Sequence, residues 1–592
     1  MFEWVANEKD RPWKRWALVG VFMFVVLTLA FKWNGIDDLM LIDTDDNLRM
    51  AQVRDWLAGQ GWYDVRQYRM EPPEGIDVHW SRIPDLPIAG LILLLTPLLG
   101  VSGAEKWAAA LAPFIPATIL FLSVALVTRR VAAKGAWPIA MVATLMGMGL
   151  SSNLMPLRID HHGWQLAMVA LAMVGFTDPK PARGGAIMGL AIATSLAIGL
   201  EMIIFLALLG AATVIGWIFF TGERPRVLAL GATTAGLMGP FYLLFASDAN
   251  RAAVCDALST VWLADALVGG ALLVLVAWKA PHDWRWRLGL AAMAGVALAA
   301  FHALAFPHCL TRLEGVTDEA NRLWLSRVNE AKPIYAQEAA FIVRAIALPL
   351  FGLVGYWLLF LRSRDHHRRI AITLGLAACV AFLLMFWQAR MAGAAQLLAI
   401  PGAAAFLVVM LPRLEASTSP AVRVLGISFA FLLATGALPV LVASYLPGET
   451  RAEVAAGNNP LVRDDCLKPE ALATLAALPK GHVYTFIDMA PRILVMTPHT
   501  TVTGPYHRND EAIVDVLKAL RASPEEARRS MAESGADYLF ICKAQMKSIG
   551  SDGLAGDLVD GETFDWLEPV EQEGLAGDLT LLYRLKAPGS SG

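Results

Sequence analysis

The stretch Leu157-Arg158-Ile159-Asp160-His161-His162-Gly163-Trp164 (157–164) lies between two apolar runs, 135–151 and 164–176, that read as membrane spans. A guanidinium, a carboxylate and two imidazoles are costly beside hydrocarbon, so such residues in a short turn between spans mark function before stability. The reading holds only if the whole chain is a membrane protein, and the composition says that it is. The 592 residues are 56% hydrophobic with a mean hydropathy of +0.51, against about 45–50% apolar in soluble domains. Apolar stretches are long enough to cross a bilayer core at 16–32, 105–128, 135–151, 164–176, 184–198, 200–218, 226–246, 261–278, 286–306, 341–362, 369–388, 392–411 and 423–446. The first follows Lys9, Arg11, Lys14 and Arg15, and no small-residue cleavage site succeeds it, so it reads as an uncleaved span. The net charge of −3, with no basic run, gives no sign of a nucleic-acid partner.

Basic residues collect in cytoplasmic loops. With the N-terminus inside, the inner loops carry Arg129, Arg130 and Lys134; Lys180 and Arg183; Arg224 and Arg226; Lys279, Arg285 and Arg287; Arg362, Arg364, Arg368 and Arg369; and Arg413. The apolar stretch 87–100 must then lie against the outer face without crossing. The outer regions become 33–104, 152–163, 247–260, 307–340, 389–391 and everything after 446. Four polar motifs fall on that side: Asp43-Thr44-Asp45-Asp46, the Asp160-His161-His162 turn, Glu330 in Arg327-Val328-Asn329-Glu330-Ala331-Lys332-Pro333, and Arg390 in Gln388-Ala389-Arg390-Met391.

The part from 447 to 586 is polar, with alternating runs at 482–487 and 537–541 and helix-like segments at 511–522 and 524–534, which together read as a small α/β domain. The chain thus divides into a membrane part, 1–446, with outer loops 33–104 and 307–340, and an outer α/β domain, 447–586. The end, 587–592, reads as a linker or tag remnant. Four of the five cysteines, Cys255, Cys309, Cys466 and Cys542, fall outside, where an oxidising compartment permits disulfides. The expected pairs are Cys466 with Cys542 and Cys255 with Cys309, with free thiols as the alternative.

Each motif has its own chemistry. Asp45 opens a helical pattern, and three acids in four residues exceed the needs of one helix cap; hard oxygen ligands suit Mg²⁺ or Mn²⁺. Asp160 and His162 can share one ion, oxygen and nitrogen together, with Arg158 beside them to neutralise a carboxylate or contact phosphate and His161 as a substrate contact. Glu330 lies in an unusually long loop, a common setting for function. Arg390, at a span end, either snorkels to the interface or binds phosphate through its fork of donors.

These motifs together resemble the catalytic subunit of the oligosaccharyltransferases, the single-subunit bacterial and archaeal forms above all, within the wider GT-C group of glycosyltransferases. The resemblance spans the chain in thin motifs. It implies a polytopic α-helical membrane protein of about thirteen spans with an α/β domain on the periplasmic side. It assigns Asp45 (or Asp43), with Arg54 nine residues on, to the first acidic motif, and Asp45, Asp160 and His162 to a divalent metal, Mg²⁺ or Mn²⁺. It also assigns Glu330 to the acceptor and Arg390 to the lipid phosphate. The family's Trp-Trp-Asp-Tyr-Gly motif is reduced here to Phe486-Ile487-Asp488-Met489-Ala490, which keeps only Asp488. The cluster Tyr506-His507-Arg508 nearby is a candidate contact for sugar or phosphate.

The resulting expectation is an inverting glycosyltransferase in a bacterial inner membrane. Its donor is a polyprenyl-(pyro)phosphate-linked sugar, and its acceptor a surface glycan, a glycolipid or a protein. Protein N-glycosylation is the alternative within the same class. A lipid or glycan transporter is the alternative from another class, and it would need polar residues reaching the cytoplasmic side of the bundle.

Overall fold

The computed structural model describes residues 12–311, 315–446, 463–549 and 553–586. The expected linker remnant 587–592, Lys9, Arg11 and the start of the α/β part, 447–462, lie outside the described residues.

Nine helices among the described residues are long and apolar enough to cross a membrane: Trp13–Phe31, Asp85–Val131, Pro181–Ile198, Thr221–Phe245, Thr260–Lys279, Trp284–Ala305, Ala339–Arg362, His367–Leu384 and Ala389–Glu415. A tenth is the pair Pro420–Ala434 and Ala437–Ala443, bent by 82°, where Gly436 takes a φ of 77°. Three shorter apolar helices, Trp137–Met146, His162–Phe176 and Ile203–Phe219, fill the remaining places. Each apolar run read from the sequence is thus helical. The stretch Asp85–Leu111 breaks at Gly100 (φ 68°). Its first half buries Ile88, Ala89 and Ile92 on one side and leaves Leu93, Leu94 and Leu98 exposed on the other, the pattern of an amphipathic helix.

Small residues set the packing of the bundle, as is usual where lipid removes the hydrophobic drive between helices. Ala392–Glu415 is the most enclosed span, with 83% of its apolar window buried. It meets Ala339–Arg362 at Gly352, Gly355, Ala399 and Gly402, where a Cβ on Gly355 would collide with the Gly402 carbonyl. At the end of the bundle remote from the acidic motifs, arginines are tied to two acids. Asp178 holds Arg130 at 3.2 Å and Arg183 at 2.9 Å, and Glu223 holds both Arg226 and Arg369 at 2.6 Å. The basic loops that set the topology are therefore also paired structurally.

The C-terminal part is a five-stranded mixed sheet flanked by helices. In the order β2-β1-β3-β5-β4 it comprises β1 (His482–Thr485), β2 (Thr500–Thr501), β3 (Tyr538–Cys542), β4 (Leu567–Pro569) and β5 (Thr580–Leu585). The helices Asp510–Arg521 and Pro524–Glu533 fall where the sequence places them. Both expected disulfides form, Cys255–Cys309 and Cys466–Cys542, and Cys379 is free.

Arginines seat this part on the segment 33–104. Arg69 donates to the carbonyls of Leu494, Thr497 and His499, Arg54 to Val495, and Arg492 to Leu39. Gly355→Val is expected to force the two central spans apart, costing about 1–3 kcal/mol or more. A lowered unfolding temperature of the purified protein checks this, with Gly210→Val, where a Cβ meets nothing within 4 Å, as the control.

Candidate active site

The acidic run becomes the start of the helix Thr44–Leu57. Asp43 is its N-cap in extended conformation, and Asp46 completes a capping box by accepting the Asp43 N–H at 3.0 Å. Capping therefore uses two of the three acids. Asp45 is left over, and among the described residues its carboxylate accepts no hydrogen bond. Burial and then the charge of Asp43 push it well above the ordinary carboxylate range.

The second outer turn meets this helix start. The chain reverses at Leu157 (φ 73°), a strained conformation for a branched side chain that costs about 1–3 kcal/mol. Packing holds it there, because Leu157 is buried with Ile36, Leu39 and Ile159. The reversal aims Arg158 at the acids: it reaches Asp43 Oδ2 at 2.7 Å, Asp46 Oδ2 at 3.3 Å and Asp160 Oδ2 at 2.8 Å. The Asp160 N–H also donates to Asp46 Oδ1 at 2.8 Å. Burial works to raise Asp43 and Asp160, but Arg158 more than offsets it and holds both below the usual range. Asp46, also opposed by Arg158, is still pushed up to about 8 by its burial.

Beyond Arg158 the two imidazoles stack, with ring centroids 4.6 Å apart. His162 Nδ1 lies 2.8 Å from Asp160 Oδ2, and His161 Nε2 lies 2.8 Å from Glu201 Oε1. Asp45, His161 and His162 bring one ligand atom each within 4.8 Å of one another, and so do His79, His161 and Glu201. The third group of that kind, Cys255, His308 and Cys309, has its thiols joined in the disulfide. Trp80 walls the site, 5.5 Å from the His161 ring and 5.8 Å from that of Tyr506.

The fourth and fifth outer segments join each other by backbone. Ala389 donates to the Lys332 carbonyl at 2.8 Å and Ile334 to that of Met385 at 2.9 Å. This puts Glu330, which is exposed, and Arg390, whose Nε donates to Gln388 at 2.8 Å, on adjoining turns. Glu330 lies close enough to add its charge to the field at Asp45.

From the C-terminal part, the Tyr506 hydroxyl donates to the Thr44 carbonyl at 3.1 Å, and Asp488 contributes to the field at that hydroxyl. His507 and Arg508 grip Asp256: His507 Nε2 is 2.6 Å from it, and two Arg508 nitrogens lie 2.9 and 2.7 Å away. Arg54 is not in this cluster, because it pairs with Glu105 at 2.8 Å.

The residues singled out in the four motifs thus meet at one face. Three others in or beside the cluster were not anticipated: His79, Glu201 and Asp256. Glu201 left a readable trace, being the only acid between Asp178 and Glu223, alone between two spans.

The fold has precedent among solved structures. Oligosaccharyltransferase AglB from Archaeoglobus fulgidus, in complex with an inhibitory peptide and a dolichol-phosphate, shares the fold at a TM-score of 0.65 and 14% identity, over 95% of this chain and 73% of that one. The apo form of the A. fulgidus enzyme matches at a TM-score of 0.61 and 15% identity (94% and 73% covered), and its complex with Zn and sulfate at 0.56 and 14% (96% and 74%). No family model matches the sequence, and neither does any curated protein. The GT-C fold expected from the motifs is therefore the fold of the chain.

Replacing Arg158 with Met should leave three carboxylates without their cation. Breaking a buried ion network of this kind costs on the order of 3–5 kcal/mol. Arg158→Lys should recover only part, since an ammonium cannot present the same planar fork; unfolding temperatures of the two variants check the order.

Proposed function

We propose that the protein is an inverting glycosyltransferase that takes its sugar from a polyprenyl phosphate or pyrophosphate. The observation that carries this reading is the meeting of Asp45 and the histidine turn, next to the Glu330 and Arg390 turns, on a fold shared with an oligosaccharyltransferase. Asp45 and His162 would hold a divalent cation, with Asp160 as the expected third ligand and His161 brought within reach by the structure. The residues fit such an ion: among the described residues Asp45 is without a donor, and His161 Nδ1 is buried with no partner. The A. fulgidus complex with Zn and sulfate supports a site for a divalent ion and an anion on this fold. Mg²⁺ and Mn²⁺ are the favoured ions. When bound, the cation would stabilise charge developing on the leaving phosphate.

The chain's own residues do the rest. Arg390 would fork onto the phosphate oxygens and help neutralise them as the anomeric C–O bond breaks. The acceptor oxygen or nitrogen attacks the opposite face of the anomeric carbon. Its proton would pass to Glu330 or Asp45, whichever comes within hydrogen-bond reach of it as general-base catalysis requires. The loop 307–340 would cover the donor and exclude water, which otherwise hydrolyses it. Arg158, fully engaged by three acids, serves to hold the site together; His507 and Arg508, engaged by Asp256, present to the substrate only the edges that this pairing leaves.

A surface glycan or glycolipid is the favoured acceptor, because only Asp488 remains of the motif that reads a sequon. Protein N-glycosylation is the second reading, supported by the shared fold. We place the chain in a bacterial inner membrane with its N-terminus in the cytoplasm and the sheet-bearing part in the periplasm.

Asp45→Ala is expected to lower release of labelled sugar from a polyprenyl-linked donor by 10²-fold or more, and a chelator to do the same to the wild type. Full activity in an Asp45→Ala/His162→Ala double variant would sink the reading. For the orientation, a single cysteine at Ser530, on a disulfide-replaced background, should react with a membrane-impermeant maleimide in spheroplasts, whereas one at Ser417 should react only after lysis; the reverse pattern inverts the topology.

A further inference from the structure

A polar cleft of about 710 Å³ lies beside the histidine turn, walled by residues from the segments 66–77, 249–256 and 507–510 and by His308 and Thr311. Its walls are tied to one another. The disulfide Cys255–Cys309 joins two of them, and Arg508 Nη1 donates to the Val78 carbonyl at 3.2 Å and to Asn250 Oδ1 at 2.7 Å. His507 connects the cleft to the turn: its ring centroid is 4.7 Å from that of His79, which is 6.0 Å from that of His161. Glu330 adds its charge to the field at Asp45 and His162, whereas the charges around His79 are those of His507, Glu201, His161 and Asp256. The cleft and the Glu330 turn thus flank the histidine pair from different sides.

The lining selects a class of ligand. Its arginines are already matched: Arg66 pairs with Asp77, and Arg508, together with His507, grips Asp256. Glu71 and Asp510 add two carboxylates, so four acids face two arginines. That excess disfavours a phosphate or an acidic chain. Among the described residues no phenylalanine, tyrosine or tryptophan lines the cleft. What remains is a set of carboxylate lone pairs beside guanidinium N–H edges. A hydroxyl both accepts and donates, and a neutral or amino-bearing carbohydrate carries hydroxyls in rows. The volume is in the range of sites for ligands of that size, roughly 300–1,000 Å³.

We propose that this cleft binds the glycan of the lipid-linked donor, from its second sugar outward, with Asp256 and Asp77 as the carboxylates that accept from its hydroxyls. The inference rests on the glycosyltransferase reading. At the reacting carbon the phosphate leaves from one face and the acceptor arrives at the other, so the rest of the glycan must extend in a third direction. Arg390 and Glu330, assigned to phosphate and acceptor, share adjoining turns, and the cleft opens on the other side of the histidine pair. Two rings, His161 and His79, stand between His162 and His507. The sugar bonded to the phosphate therefore lies short of the cleft, and the sugars that follow it fill the space.

The test uses the glycan freed by mild acid from the polyprenyl lipids of the native host's membranes, and the full-length protein in nanodiscs, with binding read by saturation-transfer NMR. The free glycan should bind, the intact lipid-linked donor should displace it, and Asp256→Asn should weaken it about 10-fold, as loss of a hydrogen bond to a charged group does. Asp77→Asn, on a partly exposed side chain, should weaken it comparably and carries the test if Asp256→Asn does not fold. No binding, or equal binding in the folded variants, overturns the cleft as a glycan site. Binding that the intact donor does not displace gives the cleft to the acceptor and overturns the donor assignment, as does a native lipid that carries a single sugar. Binding and displacement without any turnover of the donor by the wild type overturn the glycosyltransferase reading and leave the cleft standing.

Discussion

One guanidinium holds the site together. Arg158 lies among Asp43, Asp46 and Asp160 with its side chain 10% exposed, and among the described residues no other arginine or lysine pairs with those three. Carboxylates gathered out of water repel one another and lose hydration, a penalty that a single ion pair seldom offsets. A planar fork with five donors can serve several carboxylates at once, which an ammonium cannot. The geometry demands that the chain reverse just before Arg158, and the left-handed Leu157 shows what that demand costs. Because the clamp spans residues 43 to 160, it also joins the first outer loop to the second, so the helix Thr44–Leu57 and the histidine turn form one unit.

What the clamp consumes determines what it leaves. Asp43 and Asp46 are taken by helix capping and by Arg158, and Asp160 by Arg158 and His162. Asp45 then faces the two imidazoles alone. The C-terminal part closes the arrangement from above: Tyr506 reaches the Thr44 carbonyl, and His507 with Arg508 grips Asp256. The disulfide Cys255–Cys309 ties that Asp256 segment to the start of the long loop that carries Glu330. Five outer segments and the sheet-bearing part thus converge, although each contributes only a few residues.

Much of this was legible in the sequence because membrane proteins write their architecture in coarse characters. Apolar length gave the helices, and arginine placement sorted the loops between the two ends of the bundle, so that the motifs fell at a common face. Alternation found β1 and β3, whereas β2 has two residues and β4 three, too short for any period to show. The disulfides followed once the cysteines fell on one side of the bundle. The roles within the acidic run did not follow: which acid caps and which faces the histidines depends on the meeting with Arg158, over a hundred residues away. Glu201, His79 and Asp256 were missed for a related reason. Each is a single polar residue in a segment without a motif, and its meaning comes from the partner across the fold, His161, Glu201 or Arg508.

The charge balance gives the strongest physical reason for a cation here. Asp43, Asp45, Asp46, Asp160 and Glu201 bring five carboxyl groups to a largely buried region and Glu330 adds a sixth at its rim; among the described residues Arg158 is the one arginine paired with them, beside the imidazoles of His161 and His162. The excess shows in Asp45, which burial and then the charge of Asp43 drive well above the ordinary carboxylate range. A divalent ion placed against Asp45 and the imidazole nitrogens would bring two positive charges to these carboxyl groups. It would satisfy the acid that capping and Arg158 leave over, and it would turn the field of the site toward an incoming phosphate. Without the ion, the same field would repel a phosphorylated donor. Cation binding and donor binding should therefore be coupled, the first making the second electrostatically possible.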